Sequence, residues 1–154
     1  MWRKATITAG RAVNTKRQNH EMKLQFVVVT NMRRLLPPEV VWWYTPNGGK
    51  MTDKQRIKAY NLGELAGVCD LTVFHRGMLL CVELKVRASK TWGIPTTTDQ
   101  SNAQVTFQAD IEAAGGHYEV CRSVDEVMGF LTLHGVPTRE TAPLRSASSM
   151  GATA

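Results

Sequence analysis

The strongest constraint on the fold is a pair of strand-forming runs, Asp70-Leu71-Thr72-Val73-Phe74 and Met78 to Val86, separated only by His75-Arg76-Gly77. β-Branched and aromatic residues favour strands, and so short a glycine-containing separator closes a hairpin. The two runs are then antiparallel neighbours, and every other element must be arranged around them. Pairing outward from the turn sets the start of the first run against the end of the second. Asp70 falls opposite Glu83 or Lys85.

Residues 1–18 show no hydrophobic periodicity, carry Arg3, Lys4, Arg11, Lys16 and Arg17, and read as a flexible basic arm. A helix is expected from Asn19, a candidate N-cap, to Leu36, with Leu24, Val28, Met32 and Leu35 at helical spacing. Pro37-Pro38 stops it. Val40 to Tyr44 reads as a strand and Pro46-Asn47-Gly48-Gly49 as a turn. Thr52 caps a second helix reaching Leu65, with Ile57 and Leu65 among its apolar positions, Gly63 as a weak point and Gly67 as its close. A polar loop spans Arg87 to Gln100. Ser101-Asn102-Ala103-Gln104 has the form of a capping box and opens a helix to Ala114, which Gly115-Gly116 ends. His117 to Cys121 is a short strand. Ser123-Val124-Asp125-Glu126 is a second capping box, opening a helix to Leu133. From Gly135 on, Pro, Ser, Ala and Thr dominate, and 135–154 reads as a disordered tail. The order α-β-α-β-β-α-β-α points to one α/β domain over 19–134, a mixed sheet of about four strands flanked by helices.

No run approaches the ~20 apolar residues that span a bilayer, and the basic start lacks the apolar core of a secretory signal. A cytoplasmic protein with no membrane partner is the expectation. Cys69, Cys81 and Cys121 are odd in number and form no CxxC pair, which argues against a disulfide framework. The net charge of +6 is unevenly spread. Up to Lys58 there are twelve Lys or Arg and three acids; beyond it there are seven and ten. A basic half beside a mildly acidic half suits a polyanion-binding surface next to a cation-holding site, although a solvated basic surface accounts for it as well.

Glu83 and Lys85 stand at i and i+2, so one strand face carries both. With Asp70 across the hairpin, two carboxylates and a lysine converge at one edge of the sheet. Charges there are costly unless paired or bound to metal, and carboxylates are hard ligands for Mg²⁺ or Mn²⁺. A cation polarises a phosphate and acidifies a bound water, while a lysine stabilises developing phosphorane charge. The plainer alternative is an ordinary ion pair of Lys85 with Glu83 or Asp70.

Five pieces in one order extend this constellation: Glu21 in the first helix, Tyr44-Thr45-Pro46-Asn47-Gly48-Gly49, Gly67-Val68-Cys69-Asp70-Leu71, Glu83-Leu84-Lys85, and Ser101-x-x-Gln104 with Ala114-Gly115-Gly116. In this the chain resembles the VRR-NUC family, a branch of the PD-(D/E)XK nucleases, over roughly Glu21 to Leu131. Cys69 stands where that family usually has proline, a position that supplies no ligand. The resemblance implies a PD-(D/E)XK-like restriction-endonuclease fold. It also implies a Mg²⁺- or Mn²⁺-dependent DNA endonuclease of the stand-alone phage or bacterial type. Asp70 and Glu83 would bind the metal with the Leu84 backbone carbonyl, and Glu21 would reach it directly or through water. Lys85 would act on the water or transition state, and Gln104 would line the site, unless it serves only as the third residue of its capping box. A homodimer acting on branched DNA such as four-way junctions, with no nucleotide cofactor, is the further implication.

For DNA contacts the candidates are Asn47, Gly48 and Lys50 in the turn, whose N–H groups and ammonium suit a phosphate, and Lys16 and Arg17 in the arm. Trp42-Trp43-Tyr44 suits base stacking or the core, with the core favoured for most of it. His75, His117 and His134 show no ligand spacing. His20-Glu21 lacks the second histidine of a zincin motif, since Leu24 stands there. Two other functions stay open: a DNA-binding module of the same fold without catalysis, and a sequence-specific restriction-type enzyme.

Overall fold

The computed structural model describes residues 3–46, 51–91, 94 and 98–139, with side chains from Asn19 onward. Among the described residues four helices and four strands follow in the expected order: α1 (Arg3–Leu35), β1 (Val41–Tyr44), α2 (Asp53–Asn61), β2 (Leu71–His75), β3 (Met78–Leu84), α3 (Asn102–Ala113), β4 (His117–Cys121) and α4 (Val124–Leu133). The strands form one mixed sheet in the order β1-β2-β3-β4, with β1–β2 and β2–β3 antiparallel and β3–β4 parallel. The parallel pair needs a long crossover, and the loop and α3 supply it.

The hairpin turn is tighter than its sequence suggests. His75 already pairs with Met78, leaving Arg76 and Gly77 as the turn. Both have positive φ, 48° and 83°, the backbone that matches the twist of the flanking strands. This fixes the register, with Leu71 opposite Val82. One step further out, Asp70 falls opposite Glu83.

The pleat divides the side chains between two cores. Leu71, Val73, Leu80, Val82 and Leu84 pack with Val28 and Met32 of α1 and Val127 and Leu131 of α4. On the other face Cys69, Cys81 and Tyr118 pack with Phe107 of α3. Glu83 alternates with Val82 and Leu84, which sets it on the α3 side.

Several boundaries differ from the sequence reading, each for a physical reason. The backbone is helical from Arg3 where a flexible arm is expected, so Asn19 lies inside α1 and is not its cap. Ala, Arg, Lys and Gln in 3–18 are good helix formers, and no proline interrupts them. Thr52 caps α2, as expected, and the structure adds a reciprocal box with Gln55, but the helix stops at Asn61. Gly63, at φ 87°, ends it. The Gly63 N–H donates to the Tyr60 carbonyl and the Glu64 N–H to that of Ala59, a Schellman stop. Ile57 and Leu65 are exposed.

The same motif ends α4. Gly135 N–H donates to Thr132 O, and Val136 N–H to Leu131 O. Val136 therefore folds back into the core at 3% exposure rather than starting a disordered tail. Arg139 N–H bonds the Leu35 carbonyl, so 135–139 belong to the domain. Of the aromatic trio, only Trp42 packs against the core; Trp43 and Tyr44 are exposed. Among the described residues no helix is long and apolar enough to cross a membrane.

Candidate active site

The two carboxylates meet where β2 begins and β3 ends. Asp70 Oδ2 accepts the Leu84 backbone N–H at 2.8 Å, which locks its carboxylate against the β3 end. In an extended strand the N–H and C=O of one residue point toward the same neighbour. The Leu84 carbonyl is thus aimed to the Asp70 side, while the next N–H, that of Lys85, donates to Cys121 O on β4 at 3.0 Å.

Glu83 is almost fully buried, with 1% of its side chain exposed. It survives there because three partners converge on it. Lys85 Nζ lies 2.8 Å from Oε1. Gln104 Nε2 donates to the same oxygen. Tyr118 Oη donates to Oε2 at 3.4 Å. Burial first, then the negative charge of Asp70, pushes the Glu83 carboxyl up to about 7, while Lys85 pulls it down. Burial also pushes the Tyr118 hydroxyl up, with the Glu83 charge adding to it.

Gln104 fills both of the roles open to it. Its Oε1 accepts the Ser101 N–H at 2.8 Å, closing the capping box of α3, while its Nε2 reaches Glu83. A residue that caps a helix and anchors a carboxylate carries information about the distance between α3 and β3. Gly67 sets that distance. Its φ is 79°, and a Cβ there would stand 2.3 Å from the Ala103 carbonyl carbon and oxygen and 2.6 Å from the Gln104 nitrogen. Gly67 does not close α2; it lets the strand leading to Asp70 pass directly against the first turn of α3. Cys69, two residues on, is fully buried, and its thiol donates to Leu71 O at 3.3 Å.

Beyond Lys85 the loop is pinned back onto the strand end. The Thr98 hydroxyl accepts the Val86 N–H at 3.1 Å and lies 3.2 Å from the Val86 carbonyl, and Thr98 itself is buried. The Ser123 hydroxyl caps α4, but Glu126 does not return the bond to Ser123. Its carboxylate reaches the Arg122 N–H at 2.7 Å and the Arg87 guanidinium instead.

Asp70, Glu83, Lys85 and Gln104 are therefore brought together. Glu21 is half-buried on α1, two helical turns before the fully buried Val28 and so on the same helix face. That face packs on the side of the sheet opposite Glu83. Among the described residues no three His, Cys, Asp or Glu side chains stand close enough to hold a metal, so Glu21 does not join the pair here. Asn47, Gly48 and Lys50 lie outside the described residues, as do the side chains of Lys16 and Arg17. Tyr118 is a site residue that the sequence reading omits. The signal for it was the βαβ order, which sets β4 beside β3, and the alternation that turns Tyr118 to the same face as Cys81 and Glu83.

The buried Glu83 carboxyl and the part-buried Asp70 are close enough to repel, and Lys85 pairs with Glu83. Hard oxygen donors in like-charge tension are the donor set that Mg²⁺ or Mn²⁺ takes, so these residues fit such a cation. Set against known protein families, curated proteins and solved structures, the chain gives no match.

Proposed function

We propose that this protein is a Mg²⁺- or Mn²⁺-dependent DNA endonuclease of PD-(D/E)XK type, acting in the cytoplasm on branched DNA as a two-fold dimer. One observation carries the reading: Asp70, Glu83 and Lys85 converge at the end of the β2–β3 hairpin, with Lys85 2.8 Å from a buried Glu83. The ordered sequence pieces that resemble VRR-NUC proteins supply the choice of DNA, and the basic first half of the chain agrees with a polyanionic substrate.

Asp70, Glu83 and the Leu84 carbonyl would hold the cation, which when bound supplies phosphate polarisation and a more acidic water. Lys85 places a positive charge beside the reacting phosphate, where charge grows as water attacks phosphorus and the leaving oxygen departs. Gln104 and Tyr118 hold the Glu83 carboxylate in position. The dimer is supported by a match of symmetry, since the two scissile strands of a four-way junction are related by a two-fold axis. The exposed Phe26, Trp43 and Tyr44 give such a dimer apolar surface to bury.

The test is incubation of the purified chain with end-labelled linear, flap and four-way DNA in Mg²⁺ or Mn²⁺, with and without chelator. Metal-dependent cutting, strongest on branched forms, is expected. Intact DNA in every lane contradicts the proposal.

A further inference from the structure

A second feature lies one residue past Lys85, on the opposite face of the same sheet end. Val86 and Arg87 there border a groove of about 470 Å³ between α1 and the start of α4. His20 and Lys23 line it from α1, and Arg122 and Ser123 from the entry to α4. Lys23, Arg87 and Arg122 bring three full positive charges to one groove, where the Glu126 carboxylate pairs with Arg87 and Asp125 stands beside it in the first turn of α4. Arg122 is held in place by an Nη2 bond to the Thr98 carbonyl at 3.3 Å, and its buried Nε has no hydrogen-bond partner. Leu24, Val27 and Val86 add apolar side chains to the groove lining.

We propose that this groove holds the sugar–phosphate backbone of a DNA strand that runs on past the Asp70–Glu83–Lys85 cluster. The identity of the polyanion rests on the nuclease reading above; the cationic groove does not. Spacing agrees with the assignment. Just past the end of β3, the two residue steps from Lys85 to Arg87 reach at most about 7 Å. DNA rises about 3.4 Å per nucleotide along one strand, so a strand with a phosphate near Lys85 presents another to Arg87 about two nucleotides on, where it turns round the sheet end into the groove. Phosphate contacts of this kind fix register and orientation without reading sequence.

Binding of a fluorescein-labelled DNA duplex is measured by anisotropy in Ca²⁺, across a salt series, for wild type, Lys23→Gln, Arg122→Gln and Lys58→Gln. Lys23 is exposed, so its replacement leaves the fold intact; Lys58, exposed on α2, controls for loss of net charge. One lost phosphate contact releases about 0.9 fewer counterions, which corresponds to about eightfold weaker binding at 0.1 M salt and a salt slope shallower by about 0.9. That result is expected for Lys23→Gln and Arg122→Gln, and little change for Lys58→Gln. Wild-type affinity and slope in Lys23→Gln, or an equal loss in Lys58→Gln, overturns the groove assignment. Cleavage in Mn²⁺ is scored separately. Wild type that cuts while Lys23→Gln binds normally removes only the groove; wild type that binds through Lys23 and never cuts removes only the nuclease.

Discussion

The wild-type protein should lose stability between pH 5 and 8, and replacing Glu83 by glutamine should remove that dependence. The Glu83 carboxyl titrates near 7 in the folded chain, against an ordinary value of 4.5. The folded state therefore holds its proton more tightly than the unfolded state. Stability from this group is full below 4.5 and is lost as pH rises through 7. The shift corresponds to about 3 kcal/mol in the limit, of which about 2 kcal/mol falls between pH 5 and 8. For a chain of this size that is a fall in Tm on the order of 5–10 °C. Glutamine keeps the shape and an acceptor for Gln104 but does not ionise. Thermal melts of wild type and Glu83→Gln at half-unit pH steps, without divalent cation, give the two curves. They should diverge as pH rises, the wild type falling away. Mn²⁺ should flatten the wild-type curve, because a metal ligand must be deprotonated and binding favours the ionised form. Parallel curves without metal would refute the account of Glu83 as a carboxylate buried beside a like charge.

Three other substitutions probe separate parts of the argument. Gly67→Ala meets both a positive φ and the α3 backbone at 2.3 Å, so it should cost about 2–5 kcal/mol, whereas Gly63→Ala, with open space around it, should cost about 1 kcal/mol; urea titration of both checks the contrast. Lys85→Ala should lower single-turnover cleavage by about 10²-fold with DNA affinity in Ca²⁺ nearly unchanged, and Lys85→Arg, which keeps the charge but not its shape, should not restore the rate. Val136→Ala should destabilise by about 2 kcal/mol, measured by the same urea titration, because its side chain closes the α4 stop onto the core.

The elements whose signals are local were legible in the sequence. A glycine-bearing turn between two β-branched runs marks the hairpin, and with it leaves Asp70 opposite Glu83 or Lys85, of which the register selects Glu83. The i, i+2 spacing gave Glu83 and Lys85 a common face, and Thr52 and Ser101 marked two helix starts. What escaped depends on contacts between distant segments. Gly63 and Gly67 look alike in sequence, yet one ends α2 through local hydrogen bonds and the other exists to clear the backbone of α3. Val136 sits among tail-like residues, and only the positive φ of Gly135 turns it inward. Glu126 has the position of a capping-box acid, but Arg87, 39 residues away in sequence, draws it elsewhere. Tyr118 carries no motif; its place against Glu83 follows from the parallel pairing of β3 with β4. The dual use of Gln104 was visible as two alternatives, and geometry joins them.

The central claim is that the Asp70–Glu83–Lys85 cluster cuts DNA with a divalent cation. Single-turnover incubation of an end-labelled four-way junction with saturating protein in Mn²⁺, for wild type and Asp70→Asn side by side, tests it most directly. Asn keeps the size of the side chain and an oxygen for the Leu84 N–H but removes the ligand charge. Discrete product is expected from the wild type, none with chelator, and none from Asp70→Asn despite equal junction binding in Ca²⁺. Equal cutting by Asp70→Asn, or an uncut junction with active-concentration wild type in both Mn²⁺ and Mg²⁺, would contradict the claim.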